Sequence, residues 1–336
     1  MKTKAIEIAR ALNLSKATVS LALNNKPGVS EQTRQQIFNY MDSLNERNDA
    51  PVKKSIKLVN YNKLNQQLVH TNALLMSTIK GIESVAKANS FPVEIIYFSP
   101  DTDSSRDLLA NCNAENTAGI ILMATDMKES DFDNFRKIRR PMIIYDNFFH
   151  SLTIDQVTIN NDLAVYYALR HCIDCGHRKI MYLSRNNPIF NMAERSHAAR
   201  KYQEYFSQSV DKIECFAAGT TIEDISSNVV TLLSKEPQAA TVFVCESYLV
   251  TMGFLNALSE LHLHVPDDYS VISIDSTDLY MIPGLGCGLT YIEIPHETRG
   301  ILTMRKLIER IEHPEMAFSH IEVSPRLIIR DSVKKL

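Results

Sequence analysis

The chain has 336 residues, 36 Lys/Arg against 39 Asp/Glu for a formal net charge of −3, and an apolar fraction of 45%. That length exceeds one ordinary core and that apolar content can fill two or three, so a small domain joined to a larger one is expected. The opening MKTKAIEIAR has neither the apolar run nor the small-residue cleavage site of a signal peptide, and no later run is long enough to span a bilayer, which predicts a cytoplasmic protein with no membrane partner. Charge is unevenly divided. Residues 1–55 hold nine Lys/Arg and five Asp/Glu, net +4, and the remainder holds 27 basic and 34 acidic residues, net −7. A basic head on an acidic body points to a polyanion bound at the N-terminus.

In chain order, Ile6, Ala9 and Leu12 mark one face of a first helix. After a turn through Asn13 and Leu14, Ser15 is placed to cap a second helix in which Val19, Ala22 and Leu23 face inward. A third helix begins near Ser30, and Ile37, Met41 and Leu44 recur at i, i+4 and i+7 to close a three-helix core. This is a helix-turn-helix unit. Its second helix has an outward edge of Lys16, Ala17, Ser20 and Leu21, small enough to enter a major groove and supplied with a cation and methyl groups. A hairpin used only for packing would need neither the small edge nor the positive charge.

Beyond residue 56, short apolar runs (IKLVNY, VEIIYF, GIILMA, PMIIYD, KIMYLS, IECFAA, ATVFVC, YSVISID) alternate with amphipathic helical stretches such as LLMSTIKGIESVAKA, where Leu75, Ile79, Ile82 and Ala86 share a face. Such alternation means parallel sheets covered on both faces, and the strands are too many for one modest sheet, so two lobes are expected. The six cysteines are scattered, as in a reducing compartment. Cys172 and Cys175 have half-zinc-site spacing beside His171 and His177, but no second ligand pair is evident and the helix stops at Gly176, so packed thiols and no metal are expected. Ligands of parallel sheets gather beyond the strands' carboxyl ends. There Asp146 and Asp275 end two strands as candidate acceptors for ligand hydroxyls, and Arg195 is a candidate donor; the other reading of each carboxylate is a helix cap or an interlobe ion pair.

The run AIEIARALNLSKATVSLALNNKPGVSEQTRQQIFNYMDSLN resembles the DNA-binding head of the lactose-repressor (LacI) family, through Ala9, Ser15 to Ser20, Asn24, Val29-Ser30, Thr33-Arg34 and Leu44. The resemblance extends over nearly the whole chain, most specifically in CGHRKIMYLS, ELHLHVPDDYSVISIDSTDL, GLTYIEIP and SPRLIIRDS. It implies an N-terminal all-α helix-turn-helix head (1–46) and an α/β two-lobed, periplasmic-binding-protein-like core with parallel sheets (57–336). The chain would cross between lobes near 158, 288 and 319, giving an N-lobe of 57–157 and 288–318 and a C-lobe of 158–287 and 319–332. It implies base reading by Lys16, Ala17 and Leu21 and phosphate contacts by Ser15, Thr18, Ser20 and Asn24, with Lys4 counted among the DNA contacts. It also implies an effector in the cleft, met by Asp146, Arg195 and Asp275, to which Asn60, Phe148, Ser247 and Tyr248 are added. Phe148, Phe149, Phe190 and Tyr248 are candidates to stack on a pyranose face.

The sequence departs from the family in four places. Leu21 replaces a common Arg, which exchanges a guanine-reading fork for an apolar contact. Ser247-Tyr248 stands for Asn-Asp, and Asp146-Asn147 for Asp-Arg. The segment 47–56 is short, contains Pro51 and lacks the leucine of a hinge helix, so a mostly extended linker is expected, with Lys53 and Lys54 on phosphate. The expected function is a sequence-specific transcriptional regulator, a repressor, bound as a homodimer to double-stranded operator DNA and controlled by a carbohydrate effector; control by a protein co-regulator or a non-sugar metabolite is the alternative. No phosphate loop, nucleophile elbow, nicotinamide fingerprint or metal cluster is evident, so neither enzyme activity nor a cofactor is expected. No heptad tail follows the last strand, so no helical tetramerisation module is expected.

Overall fold

A computed structural model describes residues 2–49, 54–63, 72–185, 189–275 and 285–336. They divide into two compact units, with the boundary between residues 53 and 54.

The first unit contains α1 (Lys2–Ala11), α2 (Lys16–Leu23) and α3 (Glu31–Asp49). Ile8, Ala9, Val19, Ala22 and Ile37 are buried at its centre, with Leu12, Leu14, Leu23, Val29, Tyr40 and Met41 packed around them. Ile8, one helical turn before Leu12, fills the position expected of Ile6, which is only half-buried. The side chain of Leu44 lies outside the described residues. α3 runs on to Asp49, into the segment expected to be linker. Nothing in Asn45–Asp49 breaks a helix, and the first residue that biases the chain away from one is Ala50, which precedes Pro51. Residues 50–53, and with them Lys53, lie outside the described residues; Lys54 is exposed.

The second unit opens with β1 (Ser55–Tyr61), α4 (Asn72–Ala88), β2 (Val93–Phe98), α5 (Ser105–Cys112), β3 (Thr117–Met123), β4 (Met142–Tyr145) and β5 (Asp155–Ile159). It continues with α6 (Asn161–Asp174), β6 (Lys179–Arg185), α7 (Phe190–Tyr205), β7 (Lys212–Gly219), α8 (Ile222–Lys235), β8 (Val242–Cys245), α9 (Tyr248–Glu260) and β9 (Ser270–Ile274). After β10 (Thr290–Glu293) and α10 (His296–Glu312), the chain ends with β11 (His320–Val323) and β12 (Arg326–Ile328). One six-stranded sheet has the order β11-β5-β4-β3-β1-β2 and the other β12-β10-β9-β8-β6-β7. Among the described residues only the β10–β12 pairing is antiparallel.

Each sheet is covered on both faces, which is why its central strands are continuous apolar runs rather than alternating ones. Ile79, Ile82 and Ala86 of α4 join Met304 and Leu307 of α10 against one face of the first sheet, and Leu108, Phe132 and Phe135 lie on the other. In the second sheet α6 and α7 cover one face, α8 and α9 the other. α4 and α10 cross in backbone contact. A Cβ on Gly81 would fall 2.1 Å from the Glu297 carbonyl oxygen, and one on Gly300 would fall 2.2 Å from that of Thr78. Only glycine fits at both positions.

The chain passes between sheets at about residues 160, 295 and 324, since β10 belongs to the second sheet and β11 to the first. The last two crossings fall later than 288 and 319. The reason is that Thr290–Ile292 extends the second sheet beside β9, and His320–Val323 extends the first beside β5, before the chain leaves each. Among the described residues no helix is long and apolar enough to cross a membrane.

Candidate functional site

The head fixes α2 at both ends. Ser15 Oγ accepts from the Thr18 amide at 3.0 Å and pairs with Thr18 Oγ at 2.8 Å, satisfying an orphan donor of the first turn. At the other end Asn24 Nδ2 donates to the Ser20 carbonyl at 2.7 Å. Arg34, from α3, donates to the carbonyls of Ala22 and Lys26 at 2.9 Å each and to Asn25 Oδ1 at 3.0 Å. Seven of the residues expected to meet DNA thereby sit on α2 or its caps: Ser15, Lys16, Ala17, Ser20 and Asn24 are exposed, while Thr18 and Leu21 are half-buried. The side chain of Lys4 lies outside the described residues. Arg34 was legible only as a family match; what it does, clamping unsatisfied carbonyls at a helix C-terminus, needs the fold.

In the core, the carboxyl ends of both sheets meet in a network of buried charges. Asp146 follows β4 with a positive φ of 68° and Asp275 follows β9 with a φ of 59°. Arg299, fully buried in α10, donates to Asp146 and lies 4.4 Å from the Tyr145 ring centroid. Thr125 Oγ donates to the other Asp146 oxygen at 2.8 Å. Arg195 is fully buried too. Its Nε donates to Asn161 at 2.9 Å, one Nη to the Glu246 carbonyl at 2.9 Å, and the other Nη stands 3.7 Å from Asp275. Asp275 is paired with His296 Nε2 at 2.9 Å. Asn161 and Asn191 link the halves, Asn161 donating to Asn191 at 2.8 Å and Asn191 to the Asp146 carbonyl at 3.3 Å.

Burial works to raise the Asp275 carboxyl, but His296, Arg195 and Arg299 outweigh it and hold the group well below the usual carboxylate range. Glu246 behaves oppositely. It is fully buried, burial raises it, and the Arg185 amide and Ser196 hydroxyl, each at 2.8 Å, pull it back only in part. Asp126, just after β3, is pushed up to about 6 by burial and by the Asp146 charge, against the pull of Arg185 and Lys63.

The structure thus brings Asp146, Arg195 and Asp275 together. Asn60 is half-buried within β1, and Ser247 is the N-cap of α9 with Tyr248 half-buried as its first residue. Phe148 is half-buried just after β4, where its ring stacks on His320 of the edge strand β11 at 4.2 Å and meets His150 edge-on at 4.6 Å. Phe149 packs into the first sheet's core. Phe190 is half-buried at the start of α7. Asn147 donates to the carbonyls of Ala124 and Met127 at 2.8 Å each and shapes the loop after β3. Cys172 and Cys175 pack in the second sheet's core, and burial raises both thiols. Residues missed from sequence are Asp126, Arg185, Glu246, His296 and Arg299. The first three are charged residues directly at strand ends, a signal that was present; His296 and Arg299 open a helix whose place at the junction only the fold shows.

Two family profiles match the chain: "Bacterial regulatory proteins, lacI family" over residues 6–45 and "Periplasmic binding protein-like domain" over residues 169–333. The chain is 26% identical over 335 residues to the HTH-type transcriptional repressor PurR of Mannheimia succiniciproducens and 25% identical over 340 residues to the ribose operon repressor of Haemophilus influenzae, covering 98% of both partners in each pairing. Among solved structures, the transcriptional regulator CelR–cellobiose complex shares the fold with a TM-score of 0.68 at 17% identity, over 97% of this chain and 98% of that one. A LacI family regulator from Enterococcus faecium with bound ribose shares it with a TM-score of 0.67 at 22% identity, over 84% of this chain and 100% of that one.

Proposed function

The chain belongs to the lacI family of bacterial regulatory proteins, and from that premise we propose that it represses transcription as a homodimer on a pseudo-palindromic operator, under the control of a sugar held where the two core sheets meet. The observation that carries the DNA half is the edge of α2, exposed at Lys16, Ala17 and Ser20 and held rigid by Ser15 and Arg34. In this reading Lys16, Ala17 and Leu21 face bases, and Ser15, Thr18, Ser20, Asn24, Lys4, Lys53 and Lys54 face phosphate and sugar. A ribose operon repressor among the relatives and sugar-bound neighbours of the same fold support a carbohydrate effector. Dimerisation is supported by apolar side chains exposed on α4 and the edge strand β2: Met76, Ile95 and Tyr97 are 60%, 41% and 67% accessible.

The segment 47–56 lacks the leucine that would wedge into the operator centre, so the operator should be bent little there. Site selection from random duplexes, followed by anisotropy titration of the full chain over a range of salt, tests the reading. A two-fold site whose affinity falls steeply with salt is expected. Failure to enrich any duplex sinks the DNA half, and circularly permuted fragments showing strong bending at the dyad sink the linker argument. Sedimentation of the full chain as a monomer at micromolar concentration would remove the dimer.

A further inference from the structure

Buried polar atoms without a partner gather at the carboxyl ends of the strands: Asn62 Oδ1 after β1, Ser99 Oγ after β2, both oxygens of Asp126 after β3, and Arg185 Nε at the end of β6. Such atoms are rare in folded proteins and call for an absent partner. Asp126 is the sharpest case. The residue is 6% exposed, yet neither carboxylate oxygen accepts a hydrogen bond. Its loop is not slack: Asn147 Nδ2 holds the carbonyls on both sides, Met127 N closes a turn on the Ala124 carbonyl at 2.9 Å, and Thr125 is tied to Asp146.

The charged groups that face Asp126 are Asp146 at the end of β4, Lys63 past β1, and Arg185 from the second sheet. None of them serves it. Asp146 is a like charge engaged by Arg299 and Thr125, and Lys63 is held by Asp131 at 2.8 Å. Arg185 gives its amide to Glu246 and one Nη to the Thr220 carbonyl at 3.3 Å, leaving Nε free. A group that satisfies the orphaned atoms of both residues must donate to Asp126 and accept from Arg185. An ammonium can only donate and a carboxylate can only accept; a hydroxyl does both, and two adjacent hydroxyls match two carboxylate oxygens.

We propose that Asp126 and Arg185 form a clamp across the two lobes for adjacent hydroxyls of the effector, Asp126 accepting from both and Arg185 Nε donating to one of them. The clamp rests on the reading that the effector lies between the sheets. It uses one residue from each lobe, so hydroxyls that fill it also hold the lobes together.

Calorimetry of the full chain against D-ribose, D-glucose and cellobiose, with 2-deoxyribose and 2-deoxyglucose as partners lacking one hydroxyl, tests it. For a sugar that binds, Asp126→Asn and Arg185→Gln should each weaken binding by about tenfold or more, as expected for loss of a charge-assisted hydrogen bond. The variants should discriminate less between the sugar and its deoxy partner, a coupling that a merely structural role would not produce. Wild-type affinity should decline as pH falls through about 6, where Asp126 takes up a proton, and Asp126→Asn should flatten that decline. Unchanged affinity in both variants overturns the clamp alone and leaves ordered water as the partner. A wild-type chain that binds none of these sugars overturns the clamp together with the carbohydrate reading, while operator binding by the same preparation keeps the DNA half separate.

Discussion

In the head, the side-chain hydrogen bonds that set the ends of α2 join residues no more than twelve positions apart, the longest being Arg34 to the Ala22 carbonyl. At the junction of the two core sheets they reach across 153 positions, from Arg299 to Asp146. The head turns its polar groups outward and spends little on desolvation. The core buries Arg195, Arg299, Glu246 and Asp126 and must pair each or leave it strained. The two regions therefore differ in what a substitution should do: in the head it changes recognition with little change in folding, and in the core it changes both.

The largest expected effect is in the core. Arg299→Ala leaves the half-buried Asp146 without its cation and removes the guanidinium from the Tyr145 ring. A loss of about 3–5 kcal/mol of core stability is expected, read by urea unfolding followed by circular dichroism, since the chain has no tryptophan. A loss below about 1 kcal/mol would mean that the junction is wet enough to treat its ion pairs as surface ones, and the contrast with the head would fail.

Asp126 sharpens the contrast, because there function and stability oppose each other. Its folded carboxyl sits at about 6 against 3.8 for the unbonded group. A raised acid favours the folded state while protonated, so this contribution is complete below about 3.8 and is lost as pH rises through about 6. Asp126→Asn should therefore stabilise the effector-free chain above pH 7 by about 2–3 kcal/mol and have little effect near pH 4. Thermal melts at the two pH values check the sign; a variant less stable than wild type at pH 8 would show a hidden partner for the carboxylate.

How much was legible follows the same divide. The three head helices, their caps and most of their core could be read because 3.6-residue periodicity and capping residues are local signals. In the core the apolar strands were equally plain. β5, the strand Asp155–Ile159, was not, because Asp155 and Gln156 look like loop residues. They are buried because Asp155 binds Arg310 and Ser319 and Gln156 binds the Phe149 backbone, partners supplied by tertiary structure alone. Asp146, Asp275 and Arg195 could be named from strand ends and family resemblance. The stacking of Phe148 on His320 could not be read, because an aromatic after a strand carries no sign of which edge it will meet.

Within the head, Leu21→Arg should shift base preference toward guanine at one position per half-site, by about 1–3 kcal/mol. Leu21 is half-buried and faces Gly28, 3.8 Å from where a Cβ there would lie, so the longer side chain can leave over an open surface without disturbing the core. Site selection with wild type and variant side by side checks this, and identical profiles would remove Leu21 from the base-reading edge.

The smallest effect expected is at Ser15. Its oxygen accepts from the Thr18 amide and, when the Thr18 hydroxyl also donates, both lone pairs are used while its own O–H stays free for a phosphate oxygen. Capping and phosphate binding are then compatible in one side chain. Ser15→Ala should cost the head about 1 kcal/mol through the lost cap and weaken operator binding only a few-fold, roughly equally for every sequence. The dependence of affinity on salt should not change, because a neutral donor releases no counterion, whereas Lys54→Ala should lower the slope by about one. Anisotropy titrations at several salt concentrations separate the two. If Ser15→Ala altered the slope as much as the lysine variant, the serine would be acting by repositioning a cation, and the division of α2 into local, outward-facing contacts would need redrawing.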